Sequence, residues 1–226
     1  MMRAVQPLIE TAVSPLANFR HVAKRIVCVG RNYPDPSVDG RLPLPQKPIL
    51  FMKSSGAFMD ESQLIPRPLG CQRLCTEVEL GVVMGHTARR VSKEEAYDYI
   101  AGYTVALDMT NGDLLDELRA AGLPWMLAKS FDGSCPVAEF VDKSLVPDPH
   151  ELELVCRVNG VIRQREQTSR MFFDIPRLIE YISAYMTLEP GDVILTGTPA
   201  NVQPCVSGDQ VDISIPGVVR ARFFVE

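Results

Sequence analysis

The sequence predicts an α+β protein that is mostly β with a few helices. Its 18 prolines and 15 glycines fall mostly between short apolar runs. Those runs are rich in Val, Ile, Leu and Phe, which favour strands. With 226 residues, 46% of them hydrophobic and 23% charged, the chain suffices for one large globular domain or two small ones. We expect residues 1–23 to form a separate N-terminal extension.

Eight strands are predicted where apolar runs are bounded by turn residues. They cover residues 25–30, 48–53, 76–85, 103–109, 151–160, 192–197, 210–216 and 218–225. The pair Asn159-Gly160 suits the positive φ angles of a type I′ turn. We therefore expect a β-hairpin around residues 158–161.

Three helices are predicted, over residues 92–102, 111–122 and 174–186. The first opens with Ser92 and Glu95, which have the spacing of a capping box. The second ends in Gly122, a residue type that commonly terminates helices. The third begins after Asp174, a good N-cap residue, and carries apolar residues on one face.

Composition excludes several classes of function. The net charge is −5 and no block of basic residues stands out, which argues against nucleic-acid binding. No apolar run approaches the roughly 18 residues of a membrane helix, and the N-terminus lacks a secretory signal. The six cysteines form no C-x-x-C pair, so we expect a reduced intracellular protein, cytoplasmic or mitochondrial, without disulfides.

Three acidic side chains interrupt apolar strands. Glu77 and Glu79 are two residues apart, so they point to the same side of a strand, where like charges raise each other's pKa or need a cation. Alone, the pair also fits a hydrated surface. Asp108 ends another apolar strand, where burial without a partner is costly, although it also fits a helix cap. Together these hard oxygen ligands suit Mg²⁺, with Mn²⁺ or Ca²⁺ possible.

Two further features point to an anionic substrate. Lys129 lies in a mostly apolar stretch, where it fits either a cation beside a substrate or a surface lysine whose stem covers apolar side chains. The glycine turn at residues 195–202 offers Thr198 and backbone N–H groups to a carboxylate. An ordinary strand-to-loop turn is the alternative there.

Six blocks of sequence carry a family resemblance. They are VCVGRNY, EVELGVVMG, AGYTVALDMT, GLPWMLAKSFDGSCPV, VNGVIRQ and GDVILTGTP. In this order they resemble the fumarylacetoacetate hydrolase superfamily, especially its small acylpyruvase and oxaloacetate decarboxylase-like members. The resemblance covers residues 24–226, which it identifies as the catalytic domain. It implies a rolled mixed β-sheet of the fumarylacetoacetate hydrolase C-terminal-domain type, in a homodimer.

The resemblance also implies the site residues. It makes Glu77, Glu79 and Asp108 the ligands of a metal, usually Mg²⁺. It makes Lys129 a catalytic residue in the substrate cavity, and it suggests Arg31, Thr198 and Gln164 as substrate-binding residues. The implied substrates are short β-keto or β-diketo acids. The metal would stabilise their enolates as a Lewis acid.

The sequence departs from the family pattern in the segment after VCVGRNY. Relatives carry a histidine three residues past the tyrosine and a glutamate three further on, a pair that activates water from a mobile lid helix. Here Pro36 and Asp39 stand at those positions. Proline cannot act as a base, and Pro34 and Pro36 disfavour a continuous helix. Asp39 remains a candidate base. Gly112 also replaces a frequent arginine, and GTPANVQP replaces GTPKGVGP.

These departures shape the expected activity. General base catalysis contributes roughly 10²–10⁴-fold, so hydrolysis should suffer more than reactions that need only a stabilised enolate. We expect an acylpyruvate hydrolase or oxaloacetate decarboxylase with weak hydrolysis. The alternatives are a keto–enol tautomerase on the same site and a non-catalytic relative that binds metal or ligand.

Overall fold

The structure, a computed structural model, describes residues 16–37 and 43–226. In these ranges the chain forms 16 strands and four α-helices. The strands are β1 Ile26–Gly30, β2 Ile49–Lys53, β3 Phe58–Met59, β4 Leu64–Ile65, β5 Leu74–Thr76, β6 Val78–Met84, β7 Ile100–Leu107, β8 Thr110–Asn111, β9 Cys135–Pro136, β10 Val141–Asp142, β11 Glu153–Val158, β12 Val161–Gln167, β13 Val193–Leu195, β14 Gln203–Cys205, β15 Gln210–Ile215 and β16 Val219–Val225. The helices are α1 Phe19–Val22, α2 Gly112–Ala120, α3 Met126–Lys129 and α4 Ile175–Tyr185.

Two large mixed sheets form the body of the fold. The six-stranded sheet has the order β10-β7-β6-β13-β1-β2, with β1 and β13 parallel and the other pairs antiparallel. The five-stranded sheet has the order β12-β11-β15-β16-β4, and only β16 and β4 are parallel. Smaller sheets join β14-β5-β8 and β3-β9. The predicted mostly β architecture with mixed sheets is confirmed.

The six-stranded sheet is covered on both faces. One face packs into the main core with the five-stranded sheet and α4, as the shared cluster of Val82, Ile213 and Ile182 shows. The other face carries a second apolar cluster that includes Val83 and Phe19 of α1. Because side chains alternate between two covered faces, every residue of β6 is buried. This explains the nearly continuous apolar run of β6 and makes any acid on it exceptional.

Most predicted elements are present. The hairpin between β11 and β12 turns at Asn159 and Gly160, with φ angles of 51° and 79°. The helix predicted from residue 111 is α2, and Gly122 follows it with φ 67°. The helix predicted from residue 174 is α4, whose cap Asp174 accepts a hydrogen bond from the Arg177 N–H at 2.8 Å.

The helix predicted over residues 92–102 is wrong. Only a single 3₁₀ turn, Ala96–Tyr99, forms there, and β7 begins directly after it. The Ser92 hydroxyl donates to the Glu95 carboxylate at 2.9 Å instead of capping the backbone. From Ile100 onward the pairing of β7 with β6 and β10 fixes the chain as a strand, which local capping residues do not reveal. The strand predicted over 76–85 is also interrupted, at Glu77 between β5 and β6.

The described part of the N-terminal extension is packed rather than loose. Residues 1–15 of the predicted extension lie outside the described residues. Phe19 of α1 is buried and contacts the ring of Phe58 edge-on, with centroids 5.7 Å apart. The buried Asp192 carboxylate accepts the N–H groups of Lys24 and Arg25, both at 2.9 Å. Among the described residues, no helix has the length and apolar character that crossing a membrane requires. The division at residue 23 stays a prediction.

Candidate metal centre

The register of β6 and β7 brings the three predicted acids together. Glu77 lies just before β6, Glu79 is its second residue, and Asp108 follows the end of β7. Val78 pairs with Leu107 across the two strands, and the Asp108 N–H donates to the Glu77 carbonyl at 2.8 Å. One oxygen from each carboxylate then lies within 4.8 Å of the other two. The predicted convergence of the three acids is confirmed.

Burial decides between the open interpretations of these acids. Glu79 and Asp108 are 1% and 0% exposed, and the Glu77 side chain is 14% exposed. The hydrated-surface interpretation is therefore wrong. The helix-cap interpretation of Asp108 is also wrong, because the Asn111 side chain caps α2 by accepting from the Leu114 N–H at 3.3 Å.

Lys129 supplies an ammonium group to the centre. It is the last residue of α3, and its side chain is only 4% exposed. Its Nζ donates to Glu77 Oε2 at 2.9 Å and to Asp108 Oδ2 at 2.7 Å. The surface-lysine interpretation is therefore wrong, and the lysine bridges two of the three carboxylates.

A second buried lysine, Lys53, was not predicted from the sequence. It ends β2 and is 1% exposed. Its Nζ lies 2.8 Å from Asp108 Oδ1 and donates to the carbonyls of Met109 and Lys129, the former at 3.1 Å. Lys53 therefore neutralises Asp108 and holds the backbone of Lys129. A lysine at the end of an apolar run was the signal for Lys53, much as a lysine within a mostly apolar stretch was the signal for Lys129.

The glycine turn after β13 contacts the third carboxylate. The Gly197 N–H donates to Glu79 Oε2 at 2.7 Å. Gly197 has φ 106°, and a Cβ there would lie 2.7 Å from the Cβ of Asn32, so only glycine fits. The Thr196 hydroxyl donates to the Leu80 carbonyl at 3.0 Å. The turn predicted to bind a substrate carboxylate thus binds a glutamate of the protein itself.

The residues predicted to bind substrate have different hydrogen-bond partners in the structure. Gln164 and Thr198 lie beside the glutamates and bond to the backbone of Val78. Arg31 contacts a different segment, because its Nη1 donates to the Pro43 carbonyl at 3.2 Å. The substrate-binding roles of these residues stay predictions.

The structure describes only part of the segment after Tyr33, where the family's water-activating pair is predicted to be lost. Pro36 is exposed in a turn that precedes the gap in the described residues. Asp39, the candidate base, lies outside the described residues.

Burial and charge shift the pKa values of the centre in opposite directions. Burial, with the charges of Asp108 and Glu77, raises the pKa of Glu79 well above its ordinary value. Burial also raises the pKa of Glu77 against the opposing charge of Lys129. For Asp108, burial acts upward, but Lys129 and Lys53 hold its pKa below the ordinary value.

The pKa of Lys129 is raised. Burial alone would lower it, but the carboxylates of Asp108 and Glu77 outweigh that effect. Lys129 therefore stays an ammonium ion throughout the neutral range. The centre holds three carboxylates and two ammonium groups, so one carboxylate has no cationic partner in it.

Comparison with known proteins identifies the family. The model of the family "Fumarylacetoacetate (FAA) hydrolase C-terminal" matches residues 25–226. The chain belongs to this family. The relatives of this fumarylacetoacetate hydrolase family protein include the mitochondrial oxaloacetate tautomerase fahd-1 of Caenorhabditis elegans, 51% identical over 214 residues, which are 95% of this chain and 100% of the relative. The mitochondrial oxaloacetate tautomerase FAHD1 of Homo sapiens is 48% identical over 215 residues, 95% of this chain and 97% of the relative.

Solved structures of the family share the fold. A 5-carboxymethyl-2-hydroxymuconate delta-isomerase from Mycobacterium smegmatis has a TM-score of 0.80 and 36% identity, covering 90% of this chain and 78% of that one. A fumarylpyruvate hydrolase from Pseudomonas aeruginosa, in complex with Mn²⁺ and pyruvate, has a TM-score of 0.83 and 29% identity, covering 90% and 91%. The chain is therefore an enzyme of a family whose named members act on small keto acids. The curated relatives' names place those proteins in mitochondria, one of the two compartments expected.

The residues of the centre fit a hard divalent cation. All three groups are carboxylates, and none of them is a histidine or cysteine, which favours Mg²⁺, Mn²⁺ or Ca²⁺ over zinc. Opposite ligands of one Mg²⁺ lie about 4.2 Å apart, twice the usual bond length. At most one pair among three ligands can be opposite, and adjacent ligands lie about 3.0 Å apart, so the three oxygens, which lie within 4.8 Å of one another, would have to move closer together around one ion. A dication would also compensate the unpaired carboxylate.

Proposed function

We propose that this family member interconverts the keto and enol forms of short β-keto acids, with oxaloacetate as the first candidate. The site is the centre of Glu77, Glu79 and Asp108, with a divalent cation, Mg²⁺ first, as cofactor. The observation that carries the proposal is the convergence of three buried carboxylates with an ammonium group between two of them. Oxaloacetate tautomerases that are 46% to 51% identical support the reaction type.

The carboxylates and the lysines of the centre have different roles in the proposed reaction. When bound, the cation would supply Lewis-acid polarisation of the substrate's keto oxygen. Lys129, held as an ammonium ion, donates a hydrogen bond or a proton to that oxygen as the enol forms. It has no lone pair with which to take a proton from carbon. Lys53 keeps Lys129 in place through the carbonyl of Lys129.

The proton balance of keto–enol interconversion explains why this reaction does not need the histidine and glutamate that Pro36 and Asp39 replace. In the keto-to-enol direction one proton leaves C3 and one is added to the C2 oxygen, so no water is consumed. A water-activating pair is therefore not needed. We propose Asp39 as the base that takes the C3 proton. An Asp39→Asn variant should bind the cation normally and lose turnover, and unchanged turnover would remove Asp39 from this role.

Decarboxylation and hydrolysis are the second candidate activities. Decarboxylation of oxaloacetate uses the same stabilised enolate, and the similarity to a fumarylpyruvate hydrolase favours carbon–carbon bond hydrolysis. We propose that hydrolysis is weak here, because Pro36 replaces the histidine that the family resemblance leads us to expect. A non-catalytic relative would bind oxalate, a mimic of the enolate, without turning over any keto acid.

A side-by-side assay tests the proposed function. Purified protein with Mg²⁺ is given enol-oxaloacetate, keto-oxaloacetate and acetylpyruvate, and the decay of the enol and the release of pyruvate are followed. We expect metal-dependent enol decay as the fastest reaction and acetylpyruvate cleavage far below the median enzyme rate of roughly 10 s⁻¹. Cleavage near that rate, or the absence of metal-dependent turnover, would contradict the proposal.

We propose that the protein is a homodimer. Strand β2 lies at the edge of the six-stranded sheet. A cavity of about 650 Å³ is lined mainly by β2 and by residues 123–126, and its lining includes none of the three carboxylates. Met52, Leu123 and Met126 are exposed around it, and an edge strand with exposed apolar side chains favours association. Light scattering that shows a monomer at micromolar concentration would refute this.

We also propose a mitochondrial location, on the names of the relatives from Caenorhabditis elegans and Homo sapiens. Fractionation of cells that express the full chain with a C-terminal tag tests it. Recovery of the protein only in the cytosolic fraction would overturn the proposed location.

A further inference from the structure

The backbone between the two glutamates is held on one side by side chains instead of a strand. Strand β13 pairs with β6 from Val83 to Gly81 and then ends. Beyond that point, the Val78 N–H donates to Gln164 Oε1 at 3.0 Å. The Val78 carbonyl accepts from the Thr198 hydroxyl at 2.9 Å. Both polar groups of the residue between Glu77 and Glu79 therefore have side-chain partners.

The two partners are also bonded to each other. Gln164 Nε2 donates to Thr198 Oγ1 and to the Pro199 carbonyl, both at 2.8 Å. Gln164 is 1% exposed and belongs to β12 of the five-stranded sheet, whereas Thr198 follows β13 of the six-stranded sheet. We call these two residues the Val78 clamp. The clamp connects the two sheets at the segment that carries the glutamates.

The clamp fixes the spacing of the carboxylates. Val78 is itself buried, and Asp108 holds the other edge of the segment through its hydrogen bond to the Glu77 carbonyl. Rotation about either backbone dihedral of Val78 would swing Glu77 relative to Glu79. Two hydrogen bonds to Val78, on the side that lacks a neighbouring strand, oppose that rotation.

We propose that Gln164 and Thr198 are positioning residues that set the affinity of the centre for its divalent cation. This inference rests on the proposed metal-dependent function. It is separate from the substrate-binding role expected from the sequence, which stays a prediction. Loss of an outer partner typically weakens metal affinity about 10- to 100-fold.

Isosteric variants test the clamp by calorimetric titration of Mn²⁺ into metal-free protein. Thr198→Val and Gln164→Met should each weaken binding about 10- to 100-fold. Thr198→Ser keeps the hydroxyl and should keep the parent affinity. The double variant Gln164→Met with Thr198→Val should bind little more weakly than the weaker single variant, because the two side chains share a bond.

A control variant separates positioning from general stability. Thr168 is buried as Gln164 is, and its hydroxyl donates to the Leu152 carbonyl at 3.2 Å and accepts from the Leu152 N–H at 3.0 Å. Thr168→Val should lower the Tm of the metal-free protein and leave its Mn²⁺ affinity unchanged.

Each outcome of the titrations decides something. Clamp variants that lose Tm but keep the parent affinity would overturn the inference alone. A parent protein that binds no divalent cation would overturn the proposed function and this inference together. Should Gln164→Met fail to fold, the Thr198→Val and Thr198→Ser pair still decides, because affinity lost in the first and kept in the second supports the clamp.

Discussion

Two regions of the molecule differ in how closely they keep the family pattern. The metal centre is built on paired strands, and Glu77, Glu79, Asp108 and Lys129 all match that pattern. The segment between β1 and β2 departs from it, and its described part places Pro36 in an exposed turn. Under the proposed function, stabilising an enolate and activating water are carried by separate parts of the chain.

Physical constraint explains why the centre is the less changeable region. Its five charged groups are largely buried, and Lys129 and Lys53 pair with Glu77 and Asp108, so removing a paired group leaves another without compensation, which typically costs about 3–5 kcal/mol. An exposed turn imposes no such penalty and tolerates substitution. Four predictions test this contrast between the two regions.

The largest effect is expected from Glu79→Ala. The change removes a ligand that Gly197 holds in place, so cation binding and every activity should fall together by more than about 100-fold, beyond the loss typical of an outer partner. Circular dichroism should show the fold retained. Unchanged Mn²⁺ affinity in a calorimetric titration would refute the ligand assignment.

Lys129→Met should separate binding from turnover. Loss of the acid that serves the enol oxygen should lower tautomerisation about 10²- to 10⁴-fold. The cation should still bind, because the substitution leaves Glu77 as well as Glu79 without a cationic partner, while Lys53 still pairs with Asp108. For the same reason the metal-free variant should lose about 3–5 kcal/mol of stability, which added Mg²⁺ should partly restore. A variant with full turnover would exclude Lys129 from the chemistry.

Restoring the histidine and glutamate of the family pattern at positions 36 and 39 should increase hydrolysis. The double change Pro36→His with Asp39→Glu should raise acetylpyruvate cleavage by at least about tenfold, the low end of general base catalysis being roughly 10²-fold. Metal affinity should not change. The same pair in the Glu79→Ala background is the control and should give no gain. Failure to raise hydrolysis would show that the water-activating function needs more than these two residues.

The smallest effect is expected from Gly112→Ala, which tests a departure next to the centre. A Cβ at Gly112 would lie 2.9 Å from Arg73 Cζ, so the guanidinium must move away from its ion pairs with Asp113 and Asp116. We expect Tm to fall by about 2 °C and tautomerisation to stay unchanged. Gly56→Ala, where the nearest atom is 3.8 Å away, is the matched control.

The sequence predicts the centre well where the signal is local. Strand parity places Glu77 and Glu79 on one side, and the cost of a buried charge singles out Asp108 and Lys129. Lys53 gives the same signal but was missed, because its carboxylate partner lies 55 residues away in sequence and is adjacent only in the fold.

Other features depend on tertiary pairing and could not be predicted. The capping spacing of Ser92 and Glu95 favours a helix, but only one 3₁₀ turn forms there, and from Ile100 the pairing of β7 with β6 and β10 makes the chain a strand. The Val78 clamp needs Gln164 and Thr198 from different sheets, which no local pattern indicates. Two-residue strands such as β3 and β8 have no periodicity to detect.

The most direct test of the central claim is the anomalous scattering of a crystal grown with Mn²⁺. The account predicts one strong peak about 2 Å from a carboxylate oxygen of each of Glu77, Glu79 and Asp108, a typical bond length for a small divalent cation. A crystal saturated with Mn²⁺ that shows no peak among these three oxygens, or a peak bound elsewhere, would contradict it.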